Sequence, residues 1–356
     1  MIVPAVIGLA VIEIAWALLL AVSLAAAMLL KSAGRKRAAL AAKVRPEIGE
    51  SLALYMGGST DLTRLRGFAK SHPQLLEAAI LECHVNVSGS VREQLGDLAV
   101  ELYLAERWLE GTRSKHPAVR RQAFSAIARM GDHQRVRQFW GDVAVIGLHD
   151  ADEQIRLECA GLIARCGSAE QIREVFDLSL EDTPLMRLLV GQELRRHALD
   201  LCVDAVPRAL RSPHWKTLVA TLKLAVSWEC SLPLEVSLLA EHPNPEVRIE
   251  TMRLLQFVPA TQEHRSAIRR GLNDADLAVS CAAASALGRL WIPDAIPLLT
   301  SCLRRGSAEL AATAAAALSM NPAGCQALEE QVRIDDPIAS KAAREALEDV
   351  GKAVCS

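Results

Sequence analysis

The sequence predicts an all-α protein: a right-handed α-solenoid of stacked helix hairpins, preceded by a single transmembrane helix. Apolar residues make up 51% of the 356 residues and aromatic residues only 4%, so Ala, Leu and Val supply most of the apolar surface. These residues favour helices, whereas the aromatic residues that favour strands are scarce. A long apolar run lies near the start of the sequence, and the remainder repeats one helical pattern at a near-constant interval.

The apolar run covers residues 2–30, and Glu13 is its only charged residue. About 20 residues suffice to cross the hydrocarbon core of a bilayer, so we predict a transmembrane helix over residues 1–30. A secretory signal peptide is the competing interpretation. It requires a positively charged start and a shorter apolar stretch, and this run has neither, which favours the transmembrane helix.

A basic juxtamembrane segment follows over residues 31–45, with six basic residues and no acidic one. Its first four basic residues form a collar directly after the apolar run: Lys31, Arg35, Lys36 and Arg37. The positive-inside rule then predicts a single-pass inner-membrane protein with its N-terminus outside and its solenoid in the cytoplasm. The collar either contacts anionic lipid headgroups or acts only as a stop-transfer signal.

A stripe of small residues accompanies Glu13 along the predicted transmembrane helix. Ala17, Ala21 and Ala25 follow it at intervals of four, a spacing that lets two helices approach closely. An acidic residue on such a face indicates a partner helix in the membrane, or self-association through this helix. The alternative places Glu13 near the outer interface, in reach of water.

The repeated pattern is clearest over residues 117–131. Pro117 suits a first helical turn and Gly131 suits a helix end. The apolar positions between them share one helix face: Val119, Ala123, Ala126, Ile127 and Met130. The register returns at a mean interval of about 31 residues at nine anchors: Val91, Val119, Ile155, Met186, Leu218, Val247, Val279, Leu310 and Ala339. A second apolar-periodic stretch separates many neighbouring anchors, so each unit is predicted to be a helix hairpin that buries its apolar face by stacking.

Five anchors are followed directly by an arginine: Arg92, Arg120, Arg156, Arg187 and Arg248. The pattern consists of a turn of Asp, Asn or His with Pro, then a hydrophobic-Arg pair, then Ala and an Ala-Leu pair. It resembles the HEAT repeat, in its short bacterial form. The last three units depart from this pattern, with Ser280, Ala311 and Ser340 at the arginine position. The resemblance covers roughly residues 85–351. It implies structural arginines bonded to acids or carbonyls of an adjacent repeat, and a concave face that holds another protein.

The predicted organisation therefore has four parts: a transmembrane helix over 1–30, a basic juxtamembrane segment over 31–45, an irregular helical cap over 46–84, and a HEAT-like solenoid of about nine ~31-residue repeats over 85–356. Gly57 and Gly58 break the chain inside the cap, and Asp61 is placed to cap the helix that follows.

The sequence offers no catalytic, metal-binding or cofactor-binding residue. It has no glycine-rich nucleotide loop, no HExxH and no GxSxG, so we predict no cofactor. The pairs Asp150/Asp152 and Asp274/Asp276 are interpreted as helix N-caps rather than metal ligands. The nine cysteines are an odd number without a CxxC pair, which indicates free thiols in a reducing compartment. Cys159 occupies a packing position of the repeat.

These observations predict a non-catalytic, membrane-anchored scaffold or adaptor that binds a protein partner through its solenoid surface at the cytoplasmic membrane face. An alternative is an accessory subunit of an integral membrane enzyme complex, such as an envelope-polysaccharide synthase. Bilin lyases and a class of DNA glycosylases also use HEAT-like repeats. No residue pattern marks a tetrapyrrole pocket. Residues 46–356 have 34 basic and 41 acidic side chains, and duplex binding needs a positive surface, so we expect no nucleic-acid partner.

Overall fold

The computed structural model describes residues 39–230, 234–305 and 307–355. Within these ranges the regular structure is entirely helical and contains no strand, which confirms the all-α class. A 3-10 helix covers Leu234–Glu241. The α-helices are α1 (39–56), α2 (Thr63–Ser71), α3 (Pro73–Asn86), α4 (Ser90–Glu101), α5 (Leu104–Gly111), α6 (Pro117–Met130), α7 (Gln134–Gly147), α8 (Glu153–Cys166), α9 (Ala169–Glu181), α10 (Pro184–His197), α11 (Leu199–Ala209), α12 (Trp215–Ser227), α13 (Pro245–Leu255), α14 (Gln262–Gly271), α15 (Leu277–Leu290), α16 (Ala295–Leu303), α17 (Ala308–Ser319), α18 (Pro322–Val332) and α19 (Pro337–Cys355).

The predicted transmembrane helix lies outside the described residues. So do the collar residues Lys31, Arg35, Lys36 and Arg37, and the predicted partner-helix face of Glu13, Ala17, Ala21 and Ala25. Among the helices that the structure describes, none combines the length and the apolarity that a membrane crossing needs.

Helix α1 continues through the predicted boundary between the basic segment and the cap at residues 45 and 46. Val44, Ile48 and Leu52 recur every four residues and are all buried, so one apolar face extends across that boundary. Two glycines then end the helix, and Gly58 has a φ of 98°, which glycine adopts at no steric cost. Asp61 accepts a 2.9 Å hydrogen bond from the backbone N–H of Thr63, at the start of α2. The second predicted boundary, between residues 84 and 85, falls inside α3.

The chain divides into two compact units, the first ending at Gly147 and the second beginning at Leu148. This division falls within the range of the predicted solenoid. In the first unit, α3 packs on α2, α4 and α6, while α7 packs on α4, α5 and α6.

The second unit consists of two layers of stacked helices. The first layer contains α8, α10, α12, α13, α15, α17 and α19, and each of these packs on the next. The second layer contains α9, α11, the 3-10 helix, α14, α16 and α18, which lie between successive first-layer helices along the chain. The predicted anchors of the first layer, from Ile155 to Ala339, are all buried. The helices thus stack as the periodicity predicts, and the handedness stays a prediction.

Small residues set the close approach of the first-layer helices. Ala283 and Ala286 of α15 and Ala314 and Ala317 of α17 are almost wholly buried. A Cβ added at Gly288 of α15 would lie 2.6 Å from the Cβ and 2.8 Å from the Cα of Ala317. These distances leave no room for a side chain at position 288, so the alanine-rich composition is what permits this packing.

Candidate protein-interaction surface

Two of the repeated arginines join consecutive first-layer turns. The Nε and Nη2 atoms of Arg248 each donate a 2.8 Å hydrogen bond to the carboxylate of Asp274, and Nη1 donates to the carbonyl of His242 at 2.9 Å. Arg156 repeats this arrangement. Its Nε and Nη2 atoms each donate a 3.2 Å hydrogen bond to the carboxylate of Asp182, and Nη1 donates to the carbonyl of Asp150 at 3.1 Å. Each guanidinium therefore bridges the turn before its own helix and the turn before the next first-layer helix.

Arg92 and Arg120 of the first unit also have protein partners. Arg92 donates to the Nε2 atom of His84 at 3.2 Å and to the carboxylate of Asp132 at 2.9 Å. Arg120 donates to the carbonyl of Ser114, six residues back, at 3.0 Å. In the second unit Ser280 stands at an arginine position, and its hydroxyl donates to the carbonyl of Asp274, again six residues back. The arginine position thus holds the turn that precedes its helix.

Arg187 departs from this arrangement because the residue that would supply its carboxylate is a proline. Asp182 and Asp274 lie 26 residues after Arg156 and Arg248, whereas Pro213 lies 26 residues after Arg187. Arg187 donates only to carbonyl oxygens: those of Ser179, Leu180 and Asp182, at 3.0–3.4 Å, through Nε and Nη2. Burial lowers the pKa of Arg187, and the charge of Asp182 opposes that shift.

A groove of about 510 Å³ opens beside this guanidinium, and we refer to it as the Arg187 groove. Trp215 is 37% exposed there, and the Lys216 ammonium lies 5.8 Å from the centre of its ring. The lining combines apolar and cationic side chains with one acid: Leu180, Glu181, Arg187, Pro213, His214, Trp215, Lys216 and Thr217. Sequence reasoning treated Arg187 as one more structural arginine and did not find this groove. The proline at the position of Asp182 is the signal that would have revealed it.

A row of basic side chains lies on the exposed surface of the first layer. Five consecutive first-layer helices each have at least one exposed basic side chain, and the row consists of these: Arg165, Arg196, Lys223, Arg253 and Arg289. Two carboxylates are set among them, with Glu193 at 2.7 Å from Arg196 and Glu250 at 2.8 Å from Arg253. Burial raises the pKa of Glu250, although Arg253 and Lys223 act in the opposite direction. The row therefore has more positive than negative charge.

The first unit has a groove of its own, of about 710 Å³, between α1, α3 and α6. Arg45 and Glu82 pair across it at 2.9 Å, and Val85 is 65% exposed on its wall. Glu77 is only 4% exposed and accepts a 3.2 Å hydrogen bond from the amide of Gln122. Burial raises the pKa of Glu77.

The second aspartate of each predicted pair caps a helix, whereas Asp150 and Asp274 accept from the backbone N–H of Asp152 and Asp276. Asp152 accepts a 3.0 Å hydrogen bond from the N–H of Gln154, and Asp276 accepts one of 2.9 Å from the N–H of Ala278. Across the described residues, no cluster of three or more His, Cys, Asp or Glu side chains could hold a metal ion.

Eight described cysteines are free thiols, and four of them are buried: Cys159, Cys202, Cys230 and Cys302. Cys159 is 1% exposed, as its predicted packing position requires, and burial raises the pKa of its thiol. Burial likewise raises the pKa of Cys202 to about 12. A thiol whose pKa is raised in this way is a poor nucleophile near neutral pH.

Residues 233–319 match the family model described as HEAT repeats. This part of the chain is therefore similar to HEAT repeats. The match covers the 3-10 helix and α13 to α17, including Arg248 and Asp274. No curated protein sequence shows a significant match.

Solved structures with a similar arrangement include helical proteins of several kinds. A chain in the structure of Kap95p with RanGDP is 12% identical, with a TM-score of 0.47, over 77% of this chain and 46% of that one. YibA of E. coli is 14% identical, with a TM-score of 0.38, over 74% of this chain and 98% of YibA. Human deoxyhypusine hydroxylase is 17% identical, with a TM-score of 0.29, over 72% of this chain and 99% of the hydroxylase. This chain thus spans less than half of the Kap95p-complex chain, and at such scores none of the three indicates a partner or an activity.

Proposed function

We propose that this chain is a membrane-anchored scaffold that holds a partner protein on the exposed surface of the first layer in its second unit. The row of Arg165, Arg196, Lys223, Arg253 and Arg289 carries the proposal, because it extends over five consecutively stacked helices. The bridging arginines Arg156 and Arg248 are half-buried between consecutive turns, whereas the side chains of this row are exposed. Stacked repeats commonly use such extended surfaces to bind other proteins.

The membrane anchor is part of the proposal and rests on the sequence. The apolar run over residues 2–30 is long enough to cross a bilayer, and the collar of Lys31, Arg35, Lys36 and Arg37 orients the repeats towards the cytoplasm. Alkaline extraction of native membranes tests the anchor: we expect the full chain to stay in the membrane fraction and a variant that lacks residues 2–30 to be released. Release of the full chain would overturn the anchor.

Site-specific photo-crosslinking in native membranes tests the binding surface. A photoreactive residue at position 223 or 253 lies in the basic row, and one at position 173, exposed on the second-layer helix α9, is the matched control. We expect one dominant crosslinked protein from positions 223 and 253 and none from position 173. Self-crosslinks alone, or the same products from all three positions, would overturn the proposed surface.

A further inference from the structure

We propose that the Arg187 groove binds an aspartate or glutamate side chain of the partner protein, with an apolar neighbour of that residue packed on Trp215. This inference rests on the proposed scaffold function and identifies the chemistry of one contact. The groove is lined by Arg187, His214, Trp215 and Lys216 on its cationic and aromatic side, and Glu181 is its acidic residue.

The repeat itself provides the comparison that carries the inference. Arg156 and Arg248 are equivalent to Arg187, and each is neutralised by two hydrogen bonds to an aspartate 26 residues later. At Arg187 that position is Pro213, which has no carboxylate. The neighbouring carboxylate of Asp182 is already bonded through both oxygens to Arg156. The three arginines therefore occupy the same place in the repeat, but Arg187 has no aspartate 26 residues later.

The guanidinium of Arg187, which lines the groove, also has donor capacity left over. Its Nε and Nη2 atoms donate to carbonyl oxygens, whereas Nη1 donates to no described group. Nη1 is not among the buried polar atoms that lack a partner, so it is accessible to a molecule in the groove. A carboxylate oxygen at Nη1 would give Arg187 the charged partner that Arg248 has in Asp274 through Nε and Nη2. Charged hydrogen bonds of this kind are stronger than neutral ones.

The other lining side chains favour an acidic residue with an apolar neighbour. Lys216 adds a second positive charge, and its position over the Trp215 ring holds it at the groove. Trp215 is 37% exposed, so apolar surface adjoins the cations. Tryptophan and arginine are the residues that most often dominate binding at protein interfaces.

The test uses the purified full chain and two blocked peptides that differ in one residue, leucine-rich with a central glutamate or a central glutamine. We expect the wild type to bind the glutamate peptide at least about tenfold more tightly than its glutamine twin, the scale of one charged hydrogen bond. Equal binding of the two peptides, or binding of neither, would overturn the inference. Binding of inorganic phosphate without the glutamate peptide would also overturn it.

The matched variants Pro213→Asp and Pro213→Asn separate ligand binding from folding. Pro213→Asp places a carboxylate beside Arg187 at the position equivalent to Asp182, so we expect it to fold and to lose the preference for the glutamate peptide. Pro213→Asn has a side chain of the same size without the charge, so it should keep that preference. Retention of the preference by Pro213→Asp would overturn the inference.

The crosslinking experiment in native membranes then distinguishes this inference from the scaffold function. In one outcome the partner crosslinks at position 223 in the wild type and in Pro213→Asn, while the crosslink is lost in Pro213→Asp. That result would support both the scaffold function and the groove inference. A partner captured equally by all three overturns the groove inference and leaves the scaffold intact. A preference for the glutamate peptide without any captured partner would instead overturn the scaffold.

Discussion

Arg248 and Asp274 face each other through two parallel hydrogen bonds of 2.8 Å, with side chains that are only 17% and 14% exposed. The pair connects the start of α13 with the turn before α15, so it fastens one first-layer helix to the next. A planar guanidinium matches a carboxylate in this two-point geometry, which a lysine cannot reproduce.

We expect Arg248→Ala or Asp274→Ala to lower the free energy of unfolding by about 2–4 kcal/mol, because each leaves a largely buried charge without its partner. The double variant should cost less than the sum of the two, with a coupling of about 1–3 kcal/mol. Denaturant unfolding of the purified chain measures all three.

Arg269 and Asp294 are the matched control: they also pair, but are 48% and 46% exposed. Arg269→Ala should cost no more than about 1 kcal/mol. Equal losses at the buried and exposed pairs would contradict the argument.

The same pair predicts a dependence of stability on pH. Burial raises the pKa of Asp274, but hydrogen bonds from Arg248 and from the backbone of Asp276 outweigh it, so the pKa in the folded chain lies below its ordinary value. A carboxyl with a lowered pKa contributes stability above its unfolded pKa and loses that contribution as the pH falls through the folded value. We therefore expect the stability difference between the wild type and Asp274→Asn to be full at pH 7 and to shrink below about pH 4. A difference that stays constant down to pH 2 would contradict it.

Glu77 predicts a pH dependence of stability opposite in sign to that of Asp274. Burial raises its pKa, so the ionised carboxylate costs stability above the folded pKa, and that cost disappears once the pH falls below the unfolded value. Glu77→Gln keeps an acceptor for Gln122 and removes the charge. It should therefore stabilise the chain by about 1 kcal/mol at pH 7, with the gain vanishing near pH 4.

Thermal unfolding at several pH values measures this gain. Glu82→Gln, in the same groove but 62% exposed and paired with Arg45, is the control and should cost no more than about 1 kcal/mol at pH 7. Destabilisation by Glu77→Gln at pH 7 would show that the carboxylate is needed in its charged form.

Periodicity predicted the repeat unit of the second unit well because burial enforces it there, whereas the predicted anchor Val119 of the first unit is 46% exposed. Val247, Val279 and Leu310 recur at about 31 residues, and the structure places each at a buried position of a first-layer helix. Pro117 and Gly131 also delimit α6 as predicted, since a first-turn proline and a following glycine are local signals. Features that depend on a few consecutive residues, or on one buried face, could be predicted from the sequence.

Features that depend on contacts between distant residues could not be predicted. The boundary at residues 45 and 46 was drawn from charge, whereas the buried face of Val44 and Ile48 carries α1 through it. The Arg187 groove depends on the residue 26 positions after the arginine, which the fold brings close to the guanidinium. The hydrophobic pattern of the sequence is the same whether that residue is aspartate or proline. The exposure of Trp215 likewise follows from its neighbours, because an apolar pattern alone assigns a tryptophan to the core.

Helix packing in the first layer gives the last prediction. A side chain at position 288 would meet the backbone and Cβ of Ala317 at 2.6–3.1 Å, and backbone atoms cannot move aside as a flexible side chain can. We expect Gly288→Ala to lower the free energy of unfolding by about 1–3 kcal/mol, although alanine is the better helix former. Gly351, in α19 of the same unit, has no atom within 4 Å of such a Cβ, so Gly351→Ala should instead stabilise by up to about 1 kcal/mol. Denaturant unfolding of the two variants compares them, and a gain in stability from both would mean that α15 and α17 are not in the close contact described.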